Sequence, residues 1–258
     1  AARRIWAKRM KNNYGAKKES SLKLRFHTQT AGCSLTAQQP EINIARTGFQ
    51  ALAGVLGGTQ SLHTNSMDET FSLPTEKAAE IALRTQQLIA YETGVANVID
   101  PLGGSWFIEE LTDQLEIKVE RYFDEIENIG GVITAIEKGY FQREIARSAS
   151  NYQRKVDAKK RIVVGVNKFE KENEQIEIPI HKVDESAGET QLVKLASIKS
   201  SRNELSVKNV LSRIQAVCKT KENLMPLIIE AAKEYATLGE IISSMKEEFG
   251  EWQESSIF

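Results

Sequence analysis

Hydrophobic residues in the first hundred positions alternate between helical spacing and strand spacing. Ile5, Trp6 and Met10 recur at helical intervals among basic residues, whereas Leu22 and Leu24 alternate with polar side chains as on a half-buried strand. The alternation repeats, and glycine or proline separates the segments. The pattern predicts, in order, helix 1–13, strand 21–27, helix 38–56, strand 59–63, helix 74–91 and strand 95–99.

This order of elements predicts an α/β fold built from parallel βα units. Strands joined by helices of this length pair in parallel, as in a barrel or a doubly wound sheet. After position 104 the pattern becomes mostly helical. It predicts a long amphipathic helix over 109–128, whose buried face carries Leu111, Leu115, Val119, Tyr122 and Ile126. Further predicted segments are a short helix ending at 137, a helix over 141–157, a strand over 161–169, an extended charged segment over 170–189 and a helical region over 191–249.

The charge and cysteine content argue against several classes of protein. The 258 residues include 34 Lys and Arg and 35 Asp and Glu, for a formal net charge of −1. Because duplex-binding proteins gain much of their affinity from a basic surface, we expect no nucleic-acid partner. No run of about 20 apolar residues is present, so we expect no membrane partner. Two cysteines, Cys33 and Cys218, suit a reducing compartment, and we expect a cytoplasmic protein.

Neutral polar side chains cluster where the first two predicted strands meet their loops. The functional face of a βα barrel lies at these carboxyl ends of the strands. A buried polar group left unpaired costs about 1–3 kcal/mol, so this density of donors and acceptors favours a ligand that supplies partners. The clustered residues are Thr28, Gln29, Thr30, Thr59, Gln60, Ser61, Thr64, Asn65 and Ser66.

Three interpretations of these strand ends compete. His27, His63 and Asp100 lie at the ends of three different predicted strands and could ligate a metal, but no further ligand pattern supports this, and we expect no metal site. The histidines could instead be buried imidazoles satisfied by the backbone. The third interpretation is a polar lining for a large cofactor rich in amides or hydroxyls. Because the sequence contains no Ser-His-Asp arrangement, paired carboxylates or phosphate loop, no residue is assigned as a catalytic acid, base or nucleophile.

Long motifs run in order along nearly the whole chain and thin out after about position 169. They are Arg25-x-His27-x-Gln29-Thr30-x-Gly32-x-Ser34-Leu35-Thr36, Gly58-Thr59-Gln60-Ser61-Leu62-His63-Thr64-Asn65, Asp68-Glu69, Leu73-Pro74-Thr75, Glu92-x-Gly94, Asp100-Pro101-x-x-Gly104-Ser105, Gly130-Gly131 and Val164-Gly165-Val166-Asn167-Lys168. Together they resemble the large, catalytic subunit of adenosylcobalamin-dependent acyl-CoA mutases, the methylmalonyl-CoA mutase family.

The resemblance implies a fold and an activity. The fold is the C-terminal part of a (β/α)8 TIM-type barrel followed by a mostly helical C-terminal segment. On this basis, residues 1–108 form the last βα units of the barrel, 109–169 form helices that complete and flank it, and 170–258 form a charged crossing segment and a helical region. The implied activity is the radical interconversion of (R)-methylmalonyl-CoA and succinyl-CoA with adenosylcobalamin as cofactor.

The resemblance also implies roles for individual residues. His27 is expected at the substrate channel. Glu69 is expected to accept hydrogen bonds from ribose hydroxyls or corrin side chains, and its charge would strengthen those bonds. The residues expected to bind the cofactor are Gln29, Gly32, Gln60, Ser61, Asn65, Glu69 and Ser72.

Two parts of the family pattern have no counterpart in this sequence. They are the first half of the barrel and the Asp-x-His-x-x-Gly motif of the cobalamin-binding domain. We therefore expect a chain that is inactive alone and that needs the missing N-terminal barrel half, a cobalamin-binding small subunit or domain, and an acyl-CoA substrate. The alternatives are a non-catalytic assembly or scaffold subunit and a truncated fragment of such a mutase.

Overall fold

The computed structural model describes residues 1–176, 178–182 and 184–254. The chain forms two compact units, Ala1–His181 and a second unit that begins at Lys182. Residues 177, 183 and 255–258, which belong to the predicted crossing segment and C-terminal region, lie outside the described residues. The first unit contains α1 (Ala2–Asn12), β1 (His27–Gln29), α2 (Ile42–Leu56), β2 (Ser61–His63), α3 (Glu76–Glu92), α4 (Trp106–Ile129), α5 (Val132–Glu137) and α6 (Tyr140–Asp157). The second contains α7 (Glu185–Ser201), α8 (Glu204–Cys218), α9 (Met225–Lys233) and α10 (Leu238–Phe249).

The two strands pair in parallel and are joined by α2. Their register sets His27 opposite Ser61 and Gln29 opposite His63. The predicted parallel βα unit and the α/β class are therefore confirmed. The described residues form a sheet of two strands, which is less than the closed barrel that the resemblance implies.

Helix α2 covers one face of this sheet at very short range. A Cβ atom built on Gly54 would lie 3.0 Å from Thr28 Cγ2 and 3.8 Å from Leu62 Cδ1, so glycine lets the helix backbone approach both strands. Thr47 and Ala51, four residues apart on α2, are buried. Small side chains on α2 thus close the face of the sheet that this helix covers.

Helix α3 begins where the sequence predicts and anchors the loop that follows β2. Thr75 caps the helix, because its hydroxyl accepts a hydrogen bond from the backbone N–H of Ala78 over 3.3 Å. The Thr64 hydroxyl donates to the carbonyl oxygen of Ala82 over 2.7 Å. Because Ala78 and Ala82 are buried, this end of β2 is fixed to the helix by packing as well as by a hydrogen bond.

The predicted third strand over 95–99 is wrong. Gly94 has a φ of +72° and is followed by a 3₁₀ turn, Val95–Asn97. Val98 and Ile99 are 57% and 97% exposed. A strand is held by hydrogen bonds to a neighbouring strand, and within the described residues no strand lies beside this segment. The apolar pattern is present, but none of the described strands pairs with it.

The first predicted strand is displaced toward its carboxyl end. Residues Glu19–Leu22 form a 3₁₀ turn, and pairing starts only at His27. The Gln60 side chain explains the limit, because its Oε1 accepts a hydrogen bond from the backbone N–H of Phe26 over 2.7 Å while its backbone N–H donates to the Phe26 carbonyl over 3.1 Å. Gln60 therefore satisfies the backbone of Phe26 and ends the ladder.

The strand predicted over 161–169 is also wrong, because a side chain organises this segment as a compact turn. Asn167 Oδ1 accepts from the backbone N–H of Val163 over 2.8 Å, and its Nδ2 donates to the Arg161 carbonyl over 2.8 Å. Only an isolated bridge joins Val164 and Lys168. Local pairing with an asparagine replaces pairing with a strand.

Helix α4 matches the predicted long helix, but its apolar face is only partly covered. Leu111, Leu115 and Tyr122 are 40%, 44% and 45% exposed, so the prediction that they are buried is wrong. Val119 and Ile126 are half-buried and line an apolar groove against α1. Ion pairs also join the two helices; their partners are Arg4 with Asp113 and Glu116, Lys8 with Glu116, and Arg9 with Glu120.

The second unit has its own core where α8, α9 and α10 meet. Ile214 is fully buried and packs with Val210, Cys218, Ala231 and Ile241. Buried aliphatic side chains at this density are enough to define one arrangement of three helices. None of the helices described in either unit combines the length and the apolar character that crossing a membrane requires.

An arginine that is almost fully buried joins the helices of the second unit. The Arg202 guanidinium donates to both carboxylate oxygens of Glu240, over 2.7 and 2.8 Å, and to the Tyr235 carbonyl over 3.0 Å. Glu240 also belongs to the capping box of α10, in which its carboxylate accepts from the Thr237 backbone N–H. The link therefore connects the start of α8 with the start of α10.

Candidate functional site

The uncovered face of the sheet carries four polar side chains. Because side chains alternate along a strand, His27, Gln29, Ser61 and His63 share the face that points away from α2, and all four are exposed. Facing His27 across the strands, the Ser61 hydroxyl lies 2.7 Å from its Nδ1. The structure therefore brings together the predicted substrate-channel residue and one predicted cofactor residue.

The ends of the two strands are joined by a buried pair of hydrogen bonds. The Thr30 hydroxyl donates to Asn65 Oδ1 over 2.5 Å and accepts from the Asn65 backbone N–H over 2.9 Å. The Thr30 backbone N–H extends the ladder by donating to the His63 carbonyl over 3.1 Å. Both side chains are buried, Thr30 at 4% and Asn65 at 3% exposure. With its Oδ1 engaged, Asn65 keeps its amide nitrogen for another partner.

Three of the predicted cofactor residues converge beside this pair. A Cβ atom built on Gly32 would lie 3.1 Å from Glu69 Oε1 and 3.3 Å from Asn65 Nδ2. The backbone of Gly32 therefore forms the floor of a cradle whose walls are an amide donor and a carboxylate. Any side chain at this position would fill the space, and Glu69 remains exposed above it.

The loop that presents Glu69 is held by residues that the sequence analysis did not assign a role. Asn43, fully buried on α2, donates from Nδ2 to the Met67 carbonyl over 3.0 Å. Asp68, also fully buried, accepts at Oδ2 from the backbone N–H and the hydroxyl of Thr75, over 2.9 and 3.0 Å. The signal available in the sequence was the Asp68-Glu69 motif itself, whose first carboxylate is structural and whose second is exposed.

Arg46 extends this support to the turn that Asn167 organises. Its Nη1 donates to Asn43 Oδ1 over 2.7 Å, and its Nη2 donates to the Val164 carbonyl over 2.7 Å. The helix, the Glu69 loop and the turn around Val164 are thus one hydrogen-bonded network. Helical periodicity gives no indication of it, because the pairing of Asn43 and Arg46 depends on loops distant in sequence.

Buried polar atoms without a partner lie in the same loop. Among the described residues, Ser66 Oγ and Asp68 Oδ1 are buried and make no hydrogen bond. Ser66 lines a cavity of about 300 Å³ together with His63, Glu69 and Gln86. An unsatisfied hydroxyl in the wall of a cavity favours a site that receives polar groups from a ligand.

The remaining predicted residues lie nearby but use their side chains locally. Gln60 donates from Nε2 to the Gly58 carbonyl over 2.9 Å, in addition to its bond with Phe26. The Ser72 hydroxyl donates to the adjacent Leu73 carbonyl over 2.8 Å. In the described part of the chain, no group of three or more His, Cys, Asp or Glu side chains is arranged to hold a metal ion.

Comparison with known proteins places this sequence in a family. The family model described as methylmalonyl-CoA mutase matches residues 1–251. The sequence is 45% identical to the 2-hydroxyisobutanoyl-CoA mutase large subunit of Aquincola tertiaricarbonis, over 100% of this chain and 46% of that protein. It is 43% identical to the methylmalonyl-CoA mutase of Rhizobium meliloti (strain 1021), over 98% of this chain and 35% of the relative. It is 41% identical to the methylmalonyl-CoA mutase large subunit of Porphyromonas gingivalis, over 98% of this chain and 35% of that protein.

The three relatives are all much longer than this chain. This chain spans under half of the Aquincola protein and about a third of the other two. Almost every residue of the chain nevertheless falls within the match to the family model, including β1, β2 and the Glu69 loop. The chain belongs to the methylmalonyl-CoA mutase family.

Proposed function

We propose that this chain supplies the cofactor-facing rim of a mutase that interconverts (R)-methylmalonyl-CoA and succinyl-CoA with adenosylcobalamin. The observation that carries the proposal is the cradle formed by Gly32, Asn65 and Glu69. It offers an amide donor and an exposed carboxylate over a backbone with no side chain. A ribose or a corrin amide presents the complementary hydroxyls and amides, so the donor set fits adenosylcobalamin.

Each residue of the rim has a distinct part in this proposal. The Glu69 carboxylate accepts hydrogen bonds from ribose hydroxyls, and its charge strengthens them. Asn65, oriented by Thr30, donates from Nδ2 into the same cradle. Gln29 lies on the uncovered sheet face, where its amide can meet the corrin edge. Gln60, Ser61 and Ser72 border the site.

The uncovered sheet face is suited to the chemistry of such a cofactor. When bound, adenosylcobalamin supplies the radical that starts the rearrangement of the carbon skeleton. Radical chemistry needs positioning and exclusion of water more than acid or base groups. The face opposite α2 accordingly carries one neutral amide, one hydroxyl and two imidazoles, and His27, held by Ser61, is proposed to contact the acyl-CoA.

A second candidate substrate is a 2-hydroxyacyl-CoA. It is favoured by the 45% identity to a relative whose name is 2-hydroxyisobutanoyl-CoA mutase large subunit. Both candidates share the cofactor and the rim described above. They differ in the acyl group, so one assay with two substrates separates them.

We propose that activity also requires the rest of the eight-stranded barrel and a cobalamin-binding domain or small subunit. The support is that this chain spans 46% or less of the three relatives compared above, two of which are named large subunits. The two free cysteines, Cys33 and Cys218, agree with a proposed cytoplasmic location. A non-catalytic scaffold is the competing role.

Turnover with defined components tests the proposal. The chain is assayed with adenosylcobalamin and each of (R)-methylmalonyl-CoA and 2-hydroxyisobutanoyl-CoA, alone and with the complementary barrel half and cobalamin-binding subunit of a relative. We expect product only in the complete mixture. Turnover by the chain alone contradicts the claim of incompleteness, and no turnover in the complete mixture favours the scaffold.

The cradle is tested in the same mixture by cofactor titration. Glu69→Gln and Asn65→Ala should each weaken adenosylcobalamin binding roughly 10- to 100-fold, the equivalent of one hydrogen bond to a charged or buried group. Glu41→Gln, an exposed carboxylate at the start of α2, is the matched control and should bind normally. Unchanged affinity in both cradle variants would exclude Glu69 and Asn65 from the cofactor site.

A further inference from the structure

Helix α6 presents a polar face to Tyr122 of α4, where a helix pair usually carries apolar side chains. The residues of this face recur at three- and four-residue intervals, so they lie on one side of the helix. The Tyr122 hydroxyl donates to Glu144 Oε2 over 3.2 Å. Between the two helices lies a cavity of about 410 Å³, called here the basic pocket. It is lined by Tyr122, Glu144, Arg147, Ser148, Asn151, Tyr152, Lys155 and Arg161.

The basic pocket has an excess of positive charge. Arg147 pairs with Glu144 over 2.5 Å, so these two groups neutralise each other. Lys155 and Arg161 pair with no carboxylate in the described part of the chain. The lining therefore carries two uncompensated cations in a single concave site, an arrangement that attracts an anion.

Arg161 is held in place rather than freely solvated. Its backbone N–H donates to the Lys155 carbonyl over 2.9 Å, and its own carbonyl accepts from Asn167 Nδ2 over 2.8 Å. Its guanidinium stacks on the Tyr152 ring, with Cζ 4.6 Å from the ring centroid. An arginine whose backbone is hydrogen-bonded and whose guanidinium is stacked on a ring loses little conformational freedom when it binds a ligand.

We propose that the basic pocket binds the phosphate group of a small molecule. A phosphate monoester carries a charge of about −1.5 to −2 near neutral pH, which matches the two unpaired cations. Arginine suits the geometry of phosphate oxygens, and Ser148 and Asn151 supply neutral donors beside it. A cavity of this size falls in the range of small-molecule sites. The pocket shares no residue with the cradle of Gly32, Asn65 and Glu69, so the two sites are tested separately.

Calorimetric titration of the full chain tests the proposal, with inorganic phosphate, adenosine 5′-monophosphate and adenosine as probes at constant ionic strength. We expect one saturable site for which the two phosphate probes compete and from which adenosine displaces neither. Equal affinity for the two phosphate probes identifies free phosphate as the ligand chemistry. Tighter binding of the monophosphate identifies a nucleotide.

Substitutions connect the binding to the pocket. Lys155→Ala and Arg161→Ala should each weaken phosphate binding at least roughly tenfold, the loss expected for one charge-assisted contact. Lys160→Ala, which removes an exposed lysine outside the lining, should bind as the unmodified chain does. Lys155 is exposed, and its side chain makes no hydrogen bond or ion pair with the described residues, so K155A remains informative if R161A unfolds. The absence of saturable phosphate binding, or equal binding by K155A and K160A, overturns the proposal.

Discussion

Thr30 and Asn65 exchange two hydrogen bonds across the ends of neighbouring strands, one through the Asn65 side chain and one through its backbone. A single hydroxyl thus satisfies a buried amide oxygen and a buried N–H at once. This pair joins the loop of Gly32 to the loop of Glu69, and the orientation of Asn65 depends on it.

Thr30→Val should destabilise the chain by about 1–3 kcal/mol, because it leaves two buried polar atoms of Asn65 unsatisfied while keeping the shape of the side chain. The measurement is urea unfolding. Thr28→Val is the matched control, since the Thr28 hydroxyl makes no hydrogen bond within the described residues and its methyl group faces Gly54. Equal stability of the two variants would show that the Thr30–Asn65 bonds contribute nothing.

Gly32→Ala should weaken adenosylcobalamin binding in the complete mutase by roughly tenfold, while changing stability by less than about 0.5 kcal/mol. The added methyl group meets Glu69 Oε1 at 3.1 Å, and this flexible carboxylate moves away from its position over the cradle. Cofactor titration and urea unfolding measure the two effects.

Gly48→Ala on α2 is the control for this prediction. Its added methyl group would lie 3.8 Å from Thr85 Cγ2, an ordinary contact. The substitution should leave cofactor affinity unchanged and stabilise the helix by about 0.5–1 kcal/mol. A loss of affinity in this variant as large as in Gly32→Ala would refute a specific role of the cradle.

Ile214→Ala should destabilise the second unit by about 2–5 kcal/mol, because Ile214 is fully buried among Val210, Ala231 and Ile241 and its removal leaves a cavity. Ile242→Ala removes the same atoms from a position that is 47% exposed and should cost far less. Thermal unfolding followed by calorimetry distinguishes the two. Similar losses would contradict a core of three helices centred on Ile214.

The stability of the second unit should depend on pH through Glu240. Hydrogen bonds from Arg202 lower the pKa of this carboxyl far below 4.5 in the folded state. A depressed carboxyl pKa contributes stability that is fully present above the unfolded-state pKa and is lost as the pH falls toward the folded-state value. Glu240→Gln should therefore be less stable than the unmodified chain near pH 7, and the difference should shrink as the pH falls below about 4.

The control for this pH dependence is Glu222→Gln, an exposed carboxylate in the connection between α8 and α9. Its unfolding midpoint should differ little from that of the unmodified chain at any of these pH values. A Glu240→Gln deficit that stays constant from pH 7 to pH 3 would contradict linkage to the ionisation of Glu240.

The sequence predicted some elements because the forces that form them are local. Helix α3 is predicted because the apolar spacing that marks it acts within a few residues, and the structure begins it at Glu76 after the Thr75 cap. The clustering of polar side chains at two strand ends was likewise visible, since parallel strands bring equivalent ends together. Gly32, Asn65 and Glu69 therefore converge, as expected for ends of neighbouring strands.

Other features depend on partners that periodicity does not identify. Residues 95–99 alternate as a strand does, yet no neighbouring strand satisfies them within the described residues. The apolar face of α4 is correctly located, but the pattern does not say how much of it is covered, and Leu115 remains 44% exposed. The Asn43–Arg46 network joins α2 to a turn more than a hundred positions away, so no local pattern predicts it.

The register of β1 and β2 also sets which changes of length the chain tolerates. One added or deleted residue in the connection 57–60 would shift β2 by one position and place Leu62 on the face that now carries Ser61 and His63. A deletion would set Leu62 opposite His27 and an insertion would set Gln60 there, and in both cases Ser61 and His63 would turn toward α2. Insertions in natural variants should therefore be absent from this four-residue connection and collect instead in the irregular stretch around 170–176.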